Sequence, residues 1–407
     1  MKQSKVIEII YLIILIVNLG FQLYPNLESG LNGNTEFETF TNYYQLKLAL
    51  FNALGFFIIL LFNNTYERGP IIILVLLLEF FYLISIIAGG LNNTGLSFIT
   101  TPLSYFTIFC VLFRYKINNN ISSLIFITLL IWCILPIVLL VVWPIEMKLK
   151  LFSGDGVYNI STFRGFAIHR NVYGFYAGLS IILLFFVNIK WKWRAFLYLF
   201  LLLGIILSES RTSILLAIAV PAYFYSQKKQ KSKIYKFIFL FSSVIILISI
   251  FVFLTVFKVR SGSLLNYQDR NELLFEYADI FINNPLFGTG GILKKQEGFP
   301  VHNFIIQVLA NYGIFTGFTF FALIYFIWNK GSLYFKTLFL YLLIFGLFQP
   351  YFNFGPISKM SLILILTAIS YNHKENEIIS IFPSIKINFK KHAPIIEKFD
   401  QVSHNQD

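Results

Sequence analysis

Three side chains in the second half of the sequence have types suited to binding phosphate and to moving a proton: Arg211, Arg270 and His302. A guanidinium stays charged at neutral pH and can bind two phosphate oxygens at once, which suits a group that remains anionic throughout a reaction. A neutral imidazole has an unperturbed pKa near neutral pH, so it could take a proton from an attacking hydroxyl. These are residue types that a reaction between a phosphate-containing substrate and a hydroxyl acceptor would need.

Each of the three residues also has a purely structural explanation. Arg211 could pair with Glu209 at the end of a membrane span and reach water along its own stem. Arg270 could form a salt bridge within its loop, and His302 could stand at a helix start beside Asn303 as the capping residue. Glu209 has a further possible role, because a carboxylate could act as a base. The residue types alone leave these alternatives open.

The elements that must position these residues are membrane helices, because 57% of the residues are hydrophobic, 13% are charged and the mean hydropathy is +0.72. Soluble domains carry about 25% charged residues, so this composition cannot cover a water-facing surface. We predict an all-α fold, a polytopic membrane helix bundle of about 12 transmembrane helices. Apolar runs that could cross the bilayer lie at 6–23, 46–62, 70–90, 98–113, 121–143, 170–189, 193–208, 211–226, 237–257, 303–328, 332–348 and 356–371.

The distribution of Lys and Arg orients the predicted bundle. With the N-terminus inside, the dense basic stretch 228–236 faces the cytoplasm, and the C-terminus is inside as well. Residues 1–371 then form a single membrane domain and residues 372–407 a cytoplasmic tail. Three loops without Lys or Arg face outward: 24–45, 88–97 and 349–355. The net charge of +13 is explained by inner loops that face anionic lipid, and no nucleic acid partner is expected.

Two long loops, 144–169 and 258–302, also face outward in this topology, and they are the exceptions to the charge rule. Positive charge on the outer face opposes the insertion bias, so binding an anion is the simplest reason for its presence. Candidate contacts to an anionic substrate in or beside these loops are Arg164, His169, Arg170, Glu209 and Arg260.

Three segments carry motifs in a fixed order from His169 onward. The first is His169-Arg170-Asn171-Val172-Tyr173-Gly174, and the second is Ser208-Glu209-Ser210-Arg211-Thr212-Ser213, which opens a span. The third contains Asp269-Arg270-Asn271-Glu272, then Asn284-Pro285-Leu286-Phe287-Gly288-Thr289-Gly290-Gly291, then His302-Asn303. Together these segments resemble the superfamily of O-antigen ligases and Wzy-type O-antigen or capsular polysaccharide polymerases.

The resemblance implies an all-helical membrane glycosyltransferase that assembles surface polysaccharide, as O-antigen or capsule, in the cytoplasmic membrane of bacteria. Its donor would be a glycan linked to undecaprenyl pyrophosphate, and its acceptor the sugar hydroxyl of another lipid-linked repeat unit. Arg211 and Arg270 would hold the pyrophosphate, and His302 would activate or orient the acceptor hydroxyl. Aromatic side chains that could stack on sugars include Tyr158, Tyr173 and Tyr267.

A metal-independent reaction without cofactors is expected. The sequence lacks the Asp-x-Asp motif of many metal-dependent glycosyltransferases, a Walker loop and a Cys/His cluster with zinc spacing. The outward-facing charges also favour a lipid-linked donor, because nucleotide sugars are cytosolic. The partners expected beside the undecaprenyl-pyrophosphate-linked oligosaccharide are membrane lipid, a flippase and a chain-length regulator.

Two other functions fit parts of the pattern. An O-antigen ligase would use the same Arg and His residues to move a finished glycan to a different acceptor, and we prefer the polymerase because the motifs depart from those of ligases. A flippase or transporter of the polysaccharide precursor would instead place ionisable residues near the bilayer midplane, often in two repeated halves. Glu79 is the clearest charge within a predicted span, and no internal repeat is visible.

Overall fold

The computed structural model of the protein describes residues 70–88, 119–149, 151–154, 161–167, 170–187, 189–227, 268–290 and 303–348, and four isolated residues, Ile9, Ile13, Val17 and Leu54. Within these ranges the fold is mostly helical, as predicted. In chain order the elements are α1 (Pro70–Ala88), α2 (Asn119–Val142), α3 (Ile145–Leu149), β1 (Phe152–Gly154), β2 (Ser161–Phe163), α4 (Arg170–Leu184), α5 (Trp191–Leu207), α6 (Arg211–Gln227), α7 (Gln268–Asn283), α8 (Phe304–Lys330) and α9 (Leu333–Phe348).

The described helices follow the predicted spans closely. α1, α2, α4, α5, α6, α8 and α9 each lie within a few residues of one apolar run. α4 ends at Leu184, whereas the run had predicted helix to 189. Beyond Leu184 the backbone tightens, and Phe185 N–H donates to the Ile182 carbonyl at 3.1 Å. Apart from the four isolated residues, the other predicted spans lie outside the described residues: 6–23, 46–62, 98–113, 237–257 and 356–371.

The outward faces of several helices are apolar. On α1, Ile73, Phe80 and Ile87 are 60%, 56% and 65% exposed, and they recur at helical spacing. Continuous apolar surface of this kind is typical of a face that contacts lipid. In the described part of the chain, the segment Phe304–Phe326 has the length and composition of a membrane span, and shorter apolar helices accompany it.

Side-chain contacts fix the directions of the helices around α9. The Tyr341 hydroxyl donates to the Phe175 carbonyl near the start of α4, at 2.7 Å. Tyr334, at the start of α9, packs on Phe186 and Phe224, with ring centroids 4.9 and 5.4 Å apart. Phe186 follows the end of α4, and Phe224 lies near the end of α6. α9 therefore runs antiparallel to α4 and α6. Because a short link joins α8 to α9, the part of α8 that follows Gly313 starts at the same end of the bundle as α4 and α6.

A small antiparallel hairpin, β1–β2, lies at that end and departs from the all-α prediction. Phe152 is opposite Phe163 in its register. Gly165 follows β2 with φ 57°, and a Cβ there would lie 2.8 Å from the Tyr173 ring on α4 and 3.2 Å from Pro136 on α2. We call this end of the bundle the hairpin end. It contains the hairpin, the starts of α4 and α6, the start of the part of α8 that follows Gly313, and the ends of α2, α5 and α9.

α8 is not the continuous span that the sequence predicted. Gly313 has φ 75° and ψ −178°, which breaks the helix. The turn after α7 fills the break, since Pro285 accepts a hydrogen bond from Ile314 N–H at 2.8 Å and Thr289 N–H donates to the Ala310 carbonyl at 3.1 Å. Backbone groups freed within a membrane protein need such partners. Within the turn, Gly288 has φ 64°, a backbone angle that glycine adopts readily.

α1 closes this arrangement from the other side. The Ser85 hydroxyl donates to the Phe287 carbonyl of the turn and to the Asn311 carbonyl of α8, the latter at 3.3 Å. Tyr82 packs on Tyr312 with ring centroids 4.8 Å apart. The turn after α7 is thus held between α1 and the break in α8, and this attachment fixes where α7 can lie.

Candidate functional site

Arg170 begins α4 at the hairpin end and forms an ion pair with Glu209. Its Nη1 lies 3.7 Å from Glu209 Oε2, and the two side chains are 8% and 15% exposed. A pair this well covered interacts more strongly than one in water, because the local dielectric constant is lower. The sequence had suggested Arg211 as the partner of Glu209. In the structure Arg170 pairs with Glu209, and the Arg170 side chain is buried.

The turn between α5 and α6 positions Glu209. Glu209 has φ 51°, and its N–H donates to the Ile206 carbonyl at 3.0 Å. The flanking serines are tied down, since Ser208 Oγ donates to the Ile205 carbonyl at 2.7 Å and Ser210 Oγ lies 2.7 Å from Ser213 Oγ. The carboxylate is therefore carried by a backbone that is hydrogen-bonded on both sides.

Gly174 brings α4 against this turn. A Cβ at Gly174 would lie 2.5 Å from Ser210 Cβ and 2.6 Å from Ser213 Oγ, so only a glycine allows this approach. Gly174 and Arg170 are four residues apart and share one face of α4. The close contact at Gly174 therefore holds Arg170 beside Glu209. Sequence reasoning had assigned no role to Gly174, although a glycine four residues after an arginine in an apolar run was a signal of close helix packing.

Arg211 is the first residue of α6 and is partly exposed. Only Ser210 separates it from Glu209, so the turn that fixes Glu209 also fixes the start of α6. Arg211 has the position that the sequence predicted, at the start of a span on the same end of the bundle as the hairpin.

Arg164 lies on the segment that follows β2. Its N–H donates to the Leu151 carbonyl at 2.9 Å, and its carbonyl accepts from Ala167 N–H at 3.0 Å. The side chain is only partly exposed, and burial lowers the pKa of the Arg164 guanidinium from its usual value. A guanidinium still remains charged at neutral pH. The packing of Gly165 on Tyr173 attaches this segment to α4.

α7 carries Arg270 in its first turn. The apolar side of α7 packs on α8, where Tyr277 and Ala310 form a small core. Further along the chain, the Pro285 carbonyl accepts a hydrogen bond from Ile314 N–H of α8. α7 therefore advances in the same direction as α8, and its first turn lies towards the start of α8. The side chain of Arg270 lies outside the described residues.

The start of α8 is capped as predicted. Asn303 Oδ1 accepts hydrogen bonds from Ile305 N–H at 3.0 Å and Ile306 N–H at 3.3 Å, which satisfies two of the unpaired donors of the first turn. His302 directly precedes this cap. His302, His169 and Arg260 themselves lie outside the described residues.

One prediction about sugar contacts is wrong. Tyr173 is fully buried, and its hydroxyl donates to the Cys133 carbonyl at 2.9 Å. Its ring packs between Trp132 and Phe163. Tyr173 is therefore part of the core that joins α2, α4 and the hairpin, and it cannot stack on a sugar. Tyr158 and Tyr267 lie outside the described residues.

The hairpin end thus gathers Arg164, Arg170, Glu209 and Arg211. These four side chains are three guanidinium groups and one carboxylate, so the set has a positive balance. Such an arrangement can bind an anion and stabilise negative charge that develops on a leaving group. Among the residues that the structure describes, no group of three or more His, Cys, Asp or Glu side chains could hold a metal ion.

Comparison with known protein families matches residues 196–321 to the family described as O-Antigen ligase. The matched range contains the turn with Glu209, Arg211, α7 and most of α8, and so includes two of the three segments that carried the resemblance. The match confirms the resemblance to the superfamily of O-antigen ligases and Wzy-type polymerases. Neither the search of curated proteins nor the search of solved structures found a match.

Proposed function

We propose that this chain, whose residues 196–321 match the family described as O-Antigen ligase, polymerises a surface polysaccharide of bacteria, either O-antigen or capsule. The family implies glycan transfer by a membrane enzyme that acts on lipid-linked polysaccharide. In our proposal the donor is a glycan on undecaprenyl pyrophosphate, and the acceptor is the sugar hydroxyl of another lipid-linked repeat unit. The site faces outward from the cytoplasmic membrane, within a single membrane domain of residues 1–371 that a cytoplasmic tail, 372–407, follows.

The observation that carries the proposal is the gathering of cations at one end of the bundle. Arg164, Arg170 and Arg211 come from three different parts of the fold, and α7, which carries Arg270 in its first turn, packs on the part of α8 that precedes Gly313. Fixed cations that face a diphosphate can stabilise the charge that the leaving group gains. In this proposal they do so without a metal ion or an organic cofactor.

The proposed reaction assigns a role to each group. The acceptor oxygen forms a bond to the anomeric carbon of the donor, while the bond from that carbon to the phosphate oxygen breaks. Arg211 and Arg270 hold the pyrophosphate as it leaves with the bonding electrons, and His302 takes the proton from the acceptor hydroxyl. Further contacts to pyrophosphate or glycan are assigned to Arg164, His169, Arg170 and Arg260.

The proposed partners follow from this chemistry. A flippase must deliver the lipid-linked repeat to the outer face, and a chain-length regulator would determine when transfer stops. The isoprenoid chain of the donor would lie against the apolar outer faces of the helices, beside membrane lipid.

A ligase that moves finished glycan to another acceptor is the second candidate, because the matched family is described as O-Antigen ligase. Deletion of the gene followed by gel analysis of surface glycan separates the candidates. A polymerase deletion leaves a single capping repeat without long chains. Long chains that stay on the carrier lipid indicate a ligase, and loss of all outward-facing intermediates indicates a flippase and contradicts both.

Purified protein gives the direct test. The chain in detergent or vesicles is supplied with a lipid-linked repeat, and products are separated by length. We expect chains longer than the input repeat together with release of undecaprenyl pyrophosphate, in the absence of added metal. Release without chain growth, or no release at all, would contradict polymerisation.

A further inference from the structure

Glu209 adopts a backbone conformation that its side chain does not favour. With φ 51° it is the one residue other than glycine with a positive φ in the part of the chain that the structure describes. Glycine or asparagine would occupy this position with less strain, whereas a long side chain is disfavoured there. A strained residue that persists indicates that its side chain has a function that outweighs the strain.

Glu209 is also far from any other acidic residue in the sequence. Between Asp155 and Asp269 the chain contains no Asp or Glu other than Glu209, although the interval contains many Lys and Arg residues. The carboxylate is not on an exposed surface, where a single acid would have little effect. It lies 3.7 Å from Arg170 Nη1, with both side chains largely covered.

The surrounding contacts fix the direction of this carboxylate. Gly174 allows α4 to touch Ser210 and Ser213, so the turn packs directly on the start of α4. Glu209 pairs with Arg170 at the start of α4 and precedes Arg211, the first residue of α6, by two positions. Its position couples the α5–α6 turn to α4.

We propose that Glu209 is a positioning residue for the glycan transfer, which holds Arg170 in the orientation needed to stabilise the leaving pyrophosphate. This proposal rests on the proposed function. It replaces the prediction that Glu209 binds the substrate, because a carboxylate repels a pyrophosphate. It also replaces the alternative of a base, because a base has to face the acceptor hydroxyl and this carboxylate faces a guanidinium.

A positioning residue and a direct substrate contact differ in the kinetics that they predict. Loss of a substrate contact raises KM for the donor. Loss of a positioning residue misaligns Arg170 and lowers kcat, by about 10- to 100-fold for a displacement of the order of an ångström. KM for the donor does not rise, since the change removes a negative charge near the pyrophosphate.

The strained backbone allows a sharp experiment. Glu209→Gly removes the carboxylate while favouring the φ of the turn, and Glu209→Asn is a second neutral variant that tolerates the same φ. Glu209→Asp keeps the charge one methylene shorter. We expect the neutral variants to accumulate in the membrane with low kcat and unchanged or lower KM, and Glu209→Asp to recover much of the wild-type kcat. Glu276→Gln, an exposed acid on α7, is the matched control and should match wild type.

The outcomes separate this proposal from the proposed function. Wild-type kcat in Glu209→Gly or Glu209→Asn would overturn the positioning role, because only the turn would then matter. A raised KM with unchanged kcat would overturn it in favour of direct donor binding. In both cases the wild-type protein still transfers glycan, so the proposed function stands. No transfer by the wild-type protein with any lipid-linked donor would overturn the proposed function, and the positioning role with it.

Discussion

The ion pair between Arg170 and Glu209 joins residues that are far apart in the sequence. The sequence identified both residues as candidates, because cations in outward loops and an acid beside Arg211 are visible without a structure. It could not identify their pairing, since that depends on how closely α4 approaches the α5–α6 turn at Gly174. Tyr173 was misassigned for the same reason. A tyrosine near a charged motif has the same appearance in sequence whether it faces a sugar or the core.

Arg270 tests whether phosphate is held by a planar guanidinium. Arg270→Lys keeps the charge and removes the two-pronged hydrogen bonding. A hydrogen bond to a charged group contributes about 1.5–3 kcal/mol, so the loss of one should slow transfer by roughly 10- to 100-fold. The measurement is the rate of chain growth with purified lipid-linked repeat, with Glu276→Gln as the control. A normal rate and normal chain lengths in Arg270→Lys would remove Arg270 from the phosphate site.

His302 tests the transfer of the proton. His302→Ala should lower kcat by about 10²- to 10⁴-fold, the usual contribution of a general base. In the wild-type protein, the rate should rise with pH as the imidazole loses its proton. Asn303→Ala, which removes the adjacent helix cap without an ionisable group, should reduce stability and leave this pH dependence unchanged. Unchanged turnover in His302→Ala would show that another group accepts the proton.

Helices were the most predictable elements, because hydrophobic runs of membrane-spanning length nearly coincide with α1, α2, α5, α6 and α9. The break in α8 was not predicted, since Gly313 lies in an apolar run that looks continuous. The break depends on the turn after α7, whose Pro285 carbonyl binds Ile314 N–H. The β1–β2 hairpin was also missed, as its strands of three residues are too short to show an alternating pattern.

The break in α8 gives a prediction about folding. Gly313→Ala places a side chain at φ 75° against the Leu286 carbonyl. Left-handed conformation costs a residue other than glycine about 1–2 kcal/mol, and the steric overlap adds to this cost. We expect a lower melting temperature in detergent and less protein in the membrane.

Gly317→Ala is the matched control on the same helix. A Cβ at Gly317 would meet only the end of the flexible Leu309 side chain, at 2.7 Å, and its backbone is helical. This variant should keep near wild-type stability. Equal stability of the two variants would mean that the turn after α7 does not depend on the conformation of Gly313.

At the scale of the whole molecule, the account requires that the hairpin end faces away from the cytoplasm. The predicted topology puts the basic stretch 228–236 inside and the two cation-bearing loops outside. The helix directions in the structure agree in one respect, since α4, α6 and the part of α8 after Gly313 all start at the same end of the bundle. The orientation of that end relative to the membrane remains a prediction from the charges.

Thiol labelling in intact cells measures this orientation directly. Cys110 and Cys133 are replaced by serine, and a single cysteine is introduced by Ser263→Cys in the loop 258–302 or by Ser232→Cys in the basic stretch. The account predicts that a reagent unable to cross the membrane labels the protein at position 263 in intact cells and at position 232 only after the membrane is opened. Labelling at 232 in intact cells, with position 263 protected, would put the cations on the cytoplasmic side and contradict glycan transfer at the outer face.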